Sequence, residues 1–311
     1  MSRLRAIVLG AAAGGGYPQW NCRCPVCRLA WQGDKRVRAR TQASVAVSKD
    51  GENWVLLNAA PDLRAQIAAT PALHPTGMAC TASSQDARGS PIKAVVLTGA
   101  EVDQVAGLLD MRERQPFTIY GSAETLASIA DNPIFAVLAP EVVARTTVGL
   151  ERPFEAAGIE IELFAVPGKV PLYLERGEPD VTELAEESGA NVGIELRAGG
   201  ARLVFVPGAA LINEALAARF AKADVVMLDG TLFTDDEMIR NGSGTKTGRR
   251  MGHMPVGGAN GSLAALSGLP GRRIFIHINN TNPILVDGSP ERLQVEAAGV
   301  EVAEDGMEIV L

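Results

Sequence analysis

The sequence predicts an α/β (α+β) fold in which two β-sheets pack face to face with helices on the outside, an αββα sandwich. Three observations carry this expectation. Short β-rich runs recur from one end of the chain to the other, helical segments lie between several of them, and each half holds strands first and helices between or after. Such a mixed order fits two packed sheets better than a simple alternating parallel fold.

In chain order, strands are expected at residues 5–9, 44–48, 54–58, 94–98, 117–120, 159–166, 192–196, 202–206, 225–228, 273–278 and 307–311. They are short runs dominated by Val, Ile, Leu and aromatic residues, such as Val225-Val226-Met227-Leu228, and such residues fit a pleated, buried surface. Helices are expected at 62–69, 105–114, 123–130, 212–221 and 261–266. The stretch 175–190 is acidic, contains glycine and is weakly periodic, so it reads as a surface loop or flap rather than a linker. With no internal repeat in sight, residues 1–311 are expected to form one domain.

Hydrophobic residues make up 47% of the chain and charged residues 21%, which is ordinary globular usage, whereas aromatics at 5% leave the core to Ala, Val, Leu and Ile. A net charge of −7 argues against a nucleic-acid backbone as the main partner. No apolar run approaches the roughly 20 residues that cross a bilayer, so membrane insertion is not expected. The first residues lack the longer apolar stretch and cleavage site of a secretory signal and read as the first strand of a cytoplasmic protein. Association into a homo-oligomer is left open.

Three of the four cysteines fall within six residues, in Asn21-Cys22-Arg23-Cys24-Pro25-Val26-Cys27. A disulfide framework would spread them, so clustering favours a metal. Thiolates at i, i+2 and i+5 on a tight turn suit a closed, structural zinc that pins a loop with little core of its own; the alternative is a buried or redox-active thiol group without metal. Cys80 lies far off and reads as a plain small residue. Of the three histidines, His74 sits in a loop as a bystander, while His277 ends an apolar strand and is the leading fourth zinc ligand, ahead of Asn280 or a nearby carboxylate.

Glycines 10 and 14–16 follow the first strand, but their spacing matches neither phosphate-binding fingerprint. A close backbone approach to a ligand or metal loop is the better reading. The strand at 94–98 leads through Gly99-Ala100-Glu101-Val102-Asp103-Gln104 into an Ala/Gly/Leu helix. That is the setting of the HxHxDH motif of dinuclear zinc hydrolases, yet Gly99, Glu101 and Gln104 stand where its histidines would be. Without those imidazoles a two-zinc hydrolase lacks its ligands. Asp229 ends another apolar strand and His253 follows a Gly/Thr/Arg-rich loop. Asp103, Asp229, His253 and Glu101 can thus converge on one mononuclear site, a set that suits iron(II) and oxygen chemistry. The alternative is that Asp229 and His253 only satisfy loop backbone groups. Lys246, Arg249 and Arg250 are candidates to meet substrate carboxylates, or simply a solvated loop.

The segments AAAGGGYPQWNCRCPVC (11–27), RARTQASVAVS (38–48), WVLLNAAPDLR (54–64), VDQVAGLL (102–109), DGTLFTDDEM (229–238), GTKTGRRMGHMPV (244–256) and HINNTNPIL (277–285) together resemble the PqqB family of pyrroloquinoline quinone (PQQ) biosynthesis proteins. The resemblance covers essentially the whole chain. It implies a cytoplasmic, metallo-β-lactamase-like αββα sandwich with a structural zinc at the cysteine loop. Two activities come with it. One is an iron- and oxygen-dependent hydroxylase of a small-molecule or dipeptide precursor of the Glu-Tyr type, with iron(II) at a second site. The other is a carrier that helps move PQQ or its precursor to the periplasm. Members of that family usually carry Asp-His where this chain has Asp103-Gln104, and an amide is a weaker ligand than imidazole.

Overall fold

The computed structural model describes residues 4–75, 88–169, 173 and 188–311. Cys80 and most of the expected surface loop, residues 175–187, lie outside that set. The strands are β1 (Arg5–Gly10), β2 (Ser44–Ser48), β3 (Trp54–Leu57), β4 (Ile92–Val96), β5 (Phe117–Gly121), β6 (Val143–Thr147), β7 (Phe154–Ala156), β8 (Ile159–Ala165), β9 (Val192–Ala198), β10 (Ala201–Val206), β11 (Val225–Asp229), β12 (Arg272–Ile276), β13 (Glu301–Val302) and β14 (Glu308–Val310). The helices are α1 (Pro25–Trp31), α2 (Leu63–Ala69), α3 (Val102–Val105), α4 (Ala123–Ala130), α5 (Glu214–Phe220), α6 (Glu237–Arg240), α7 (Ser262–Leu266) and α8 (Pro290–Ala297).

The strands form two sheets, ordered β14-β1-β2-β3-β4-β5-β6 and β13-β12-β11-β10-β9-β8-β7. Each has an antiparallel part and a parallel part, the latter running from β3 to β6 in one sheet and from β10 to β13 in the other. The strand sequences explain the layering. In β3, Val55 and Leu57 enter the core between the sheets, while Trp54 and Leu56 face the layer that α2 and α4 cover with Leu63, Leu126 and Ile129. In β11, Val225 and Met227 point between the sheets, while Val226 and Leu228 meet Leu216 and Phe220 of α5. Strands covered on both faces carry apolar residues at every position rather than at alternate ones. The expected two-sheet sandwich is present.

Local differences have local causes. The helix expected at 105–114 begins at Val102 and tightens after one turn into a 3₁₀ segment, Ala106–Met111. Gly107 is why: its N–H donates to Ala59 O at 2.9 Å, and a Cβ there would lie 2.1 Å from Ala60 O. The sequence reading missed α1, α6, α8, β6, β7 and β13. Of these, α8 had a readable start, since Ser289 caps Arg292 N–H and Pro290 opens the helix. Among the described residues no helix is long and apolar enough to cross a membrane.

Candidate functional site

Parallel strands deliver their C-terminal ends to one place, the usual location of sites in such sheets. Strand β11 is buried along its length and ends in Asp229, which is itself fully buried. A buried carboxylate needs partners, and Asp229 has them: Oδ1 accepts from Thr231 N–H at 3.0 Å and Thr231 O–H at 2.6 Å, while Oδ2 accepts from Ala209 N–H at 3.0 Å and faces His253 Nδ1 at 2.6 Å. His277 follows β12 with φ +57, the left-handed region that a non-glycine residue seldom adopts. Gly252, at φ +83, supplies a similar turn just before His253. Asp103 comes from the first turn of α3, beyond β4.

These side chains meet. His277 Nε2 lies 2.9 Å from Asp103 Oδ2, and its Nδ1 lies 2.9 Å from Thr231 Oγ1. The two imidazoles stack with centroids 5.3 Å apart. Asp229, His253 and His277 offer ligand atoms that all lie within 4.8 Å of one another. Burial on its own would lower the His277 pKa, but the hydrogen bond and charge of Asp103, with Asp229 and Glu101, outweigh it and raise it. Burial would raise both carboxylates, yet His277 holds Asp103 below the ordinary range and His253 does the same for Asp229.

The cluster opens into a cleft of about 530 Å³ whose walls include Gly14, Lys169, Met238, Lys246, Met251 and Asn279. The glycine loop does come close, since a Cβ on Gly14 would sit 3.5 Å from the Asp103 carboxylate. Glu101 lines the cleft and pairs with Lys169 at 3.1 Å. Gln104 turns back: its Oε1 accepts from Glu101 N–H at 3.1 Å and caps α3. Lys246 and Thr245 line the cleft, whereas Arg249 and Arg250 are not among its walls. His74 lies apart, near Ala68 O at 3.1 Å.

The cysteines form a second cluster. Cys22, Cys24 and Cys27 offer sulfurs within 4.8 Å of one another. Cys24 caps α1, its Sγ accepting from Cys27 N–H at 3.3 Å, and Cys22 Sγ accepts from Cys24 N–H at 3.4 Å. A hydrogen bond from Cys24 lowers the Cys27 pKa, and the same bond raises that of Cys24. The expectation that His277 completes this cluster is overturned, because its ring is held by Asp103 and Thr231 in the cleft. The residue that does reach the sulfurs is Asn280, the lesser candidate. Its carbonyl oxygen lies 3.6 Å from Cys24 Sγ and 3.7 Å from Cys27 Sγ, and its side-chain amide donates to Cys27 Sγ at 3.3 Å. A tetrahedron with Zn–S of about 2.3 Å and Zn–O of about 2.1 Å has an S···O edge of about 3.6 Å.

Sequence reasoning missed Thr231. Its position two residues after a strand-end aspartate was the available signal, since such residues often bond back to the carboxylate. The convergence of Asp103, Asp229 and His253 was expected and is observed, with His277 as the fourth member.

Residues 53–278 match the model of the β-lactamase superfamily domain. The chain is 54% identical over 310 residues to coenzyme PQQ synthesis protein B of Methylobacterium nodulans, covering 99% of this chain and 100% of that protein. It is 52% identical to the Rhizobium meliloti protein of the same name, over 100% and 99% of the two. The crystal structure of Zn²⁺-bound PqqB from Methylobacterium extorquens superposes with a TM-score of 0.93 at 52% identity, covering 99% and 100% of the two chains. A diphosphatase of the PhnP family shares the fold at a TM-score of 0.69 and 19% identity, over 99% of this chain and 97% of that one.

Proposed function

The chain belongs to the β-lactamase superfamily and, within it, to the coenzyme PQQ synthesis protein B family, and from that membership we propose that its cleft is an iron(II) site for oxygen-dependent hydroxylation of a tyrosine-containing, Glu-Tyr-type precursor of PQQ. The observation that carries this reading is the pair of imidazoles, His253 and His277, meeting carboxylates at one end of an open cleft. Two histidines and a carboxylate with positions left open suit iron(II) that handles dioxygen. The donors fit such an ion. A cis edge between ligands with bonds of about 2.1 Å is about 3 Å long, and His277 Nε2 and Asp103 Oδ2 stand 2.9 Å apart.

Iron(II) held there would supply dioxygen activation for adding oxygen to the tyrosine ring. The rest is for the protein's own side chains. Met238 and Met251 offer soft, adaptable walls for an aromatic ring. Lys169 and Lys246 bring positive charge to the same cleft, suited to the carboxylates of a Glu-Tyr-type molecule. Neither needs a dinuclear centre, and Gln104, engaged as a helix cap, supplies no further imidazole. Away from the cleft, we propose a structural zinc on Cys22, Cys24 and Cys27 with Asn280 as the fourth donor. The zinc-bound relative supports it, as does the tetrahedral spacing of sulfur and oxygen.

The test is anaerobic loading with iron(II), then oxygen, a Glu-Tyr dipeptide, and ascorbate as the two-electron donor that carries the second oxygen atom to water. Mass spectrometry should show the gain of one oxygen atom on the dipeptide. No gain with either the native protein or Gln104→His would sink the hydroxylase reading. Tight calorimetric binding of PQQ that ignores metal would replace it with a carrier.

A further inference from the structure

Asp229 has the ligand chemistry of a metal site but not the vacancies. A carboxylate has about four acceptor positions. Those of Asp229 face four donors, namely the N–H and O–H of Thr231, the Ala209 N–H and His253 Nδ1. The residue is completely buried, so no fifth partner reaches it from solvent. Asp103 differs. Among the described residues its Oδ2 meets the His277 ring, in the wall of the cleft.

The hydrogen positions follow from donor arithmetic. Asp229 already accepts two backbone N–H groups and the Thr231 hydroxyl, so its remaining acceptor position, 2.6 Å from His253 Nδ1, is met by a proton on that nitrogen. The Thr231 hydroxyl has one proton, and its shortest contact, 2.6 Å, is to Asp229 Oδ1, ahead of the 3.0 Å contact with His277 O. With that proton spent, Thr231 Oγ1 can only accept from His277 Nδ1, 2.9 Å away. We infer that Asp229 and Thr231 are positioning residues, a bonded pair that places a proton on Nδ1 of both His253 and His277 and so leaves Nε2 of each as the nitrogen available to an ion. His277 Nε2 and Asp103 Oδ2 then form a gap between two acceptors, which a proton or a metal ion closes. Removing such outer partners of a ligand typically weakens metal binding about 10–100-fold.

This inference rests on reading the cleft as a metal site, but its readout is not turnover. The chain has only three histidines, so long-range ¹H–¹⁵N spectra of protein loaded with two equivalents of zinc resolve every ring nitrogen. The expected pattern is a proton on Nδ1 of His253 and of His277, with Nε2 of His277 shifted by the ion. Thr231→Val should weaken binding of the second equivalent, measured by cobalt(II) titration, by 10–100-fold and disturb the His277 nitrogens, while Thr231→Ser restores both. A proton on Nε2 of either zinc-loaded ring, uptake of only one equivalent, or unchanged cobalt affinity in Thr231→Val would each overturn the assignment. A protein that gives the expected pattern yet adds no oxygen to the dipeptide sinks the hydroxylase reading and leaves this one standing.

Discussion

Single residues decide the character of the two metal-type clusters, Cys24 and Asn280 at one and His277 at the other. At the cysteine loop, Cys24 sits at the helix cap and against Asn280, so its sulfur has both a structural and a ligand position. Metal analysis of the native protein should return zinc on the cysteines, and Cys24→Ser should lose that equivalent together with solubility; zinc retained in a Cys22/Cys24/Cys27 triple variant would remove the assignment. Asn280 and His277 are three residues apart, yet one meets the cysteines and the other the cleft. Glu237 is nearby and buried, accepting from Thr281 O–H at 2.5 Å and Phe233 N–H at 2.8 Å. Burial pushes its carboxyl up to about 7 despite those bonds. The unfolded glutamate ionises near its ordinary value of 4.5, so between there and about pH 7 the folded state holds more protons. Stability should therefore fall as pH rises across that window, by on the order of 3 kcal/mol, and then level off. Urea titrations should show this slope in the native protein and a shallower one, with higher stability at pH 8, in Glu237→Gln. A slope unchanged by the substitution would assign it to other groups.

At the scale of elements, the apolar strands were legible because each is a run of residues that only a buried sheet explains. What could not be read was the polar side of the second sheet. Glu162 of β8 and Glu195 of β9 are buried, and Arg219 of α5 pairs with both while its guanidinium covers Phe164 at 4.2 Å. No local pattern announces this, because the partners lie 57 and 24 residues apart. Arg219→Ala would leave these carboxylates to Arg197, with Arg202 also on Glu195, and should cost about 1.5–3 kcal/mol in chemical denaturation. Arg114→Ala, which breaks an exposed pair with Glu141, should cost under about 1 kcal/mol. Equal losses would show that burial does not set the difference. Gln104 belongs to this scale too. Read as a motif position it is a missing ligand; in α3 it is the residue that satisfies the Glu101 N–H.

Across the whole molecule, the two ends of the chain are joined. Strand β14 pairs with β1, and Asp305 just before it accepts from Ala11 N–H, Thr41 N–H and Thr41 O–H, bracing the glycine loop beside the cleft. The other sheet is tied in by Ala303 N–H on Phe275 O. Unfolding should accordingly be one transition, with far-UV circular dichroism and tryptophan fluorescence coincident, and deletion of residues 304–311 should lower both midpoints together. Separate midpoints in the native protein would mean that the sheets fold as independent units.

Sequence by itself was enough for the layered fold, the membership of a family, the cysteine cluster and the strand-end carboxylates. These are written locally, in runs, spacings and motifs of a few residues. Which cluster claims His277, that Asn280 takes its place at the sulfurs, and that Thr231 lies between two imidazoles were decided only by the folded chain. Those contacts join residues 22 to 256 positions apart. They depend on a left-handed turn after β12 and on the packing of two sheets, neither of which any short stretch of sequence contains.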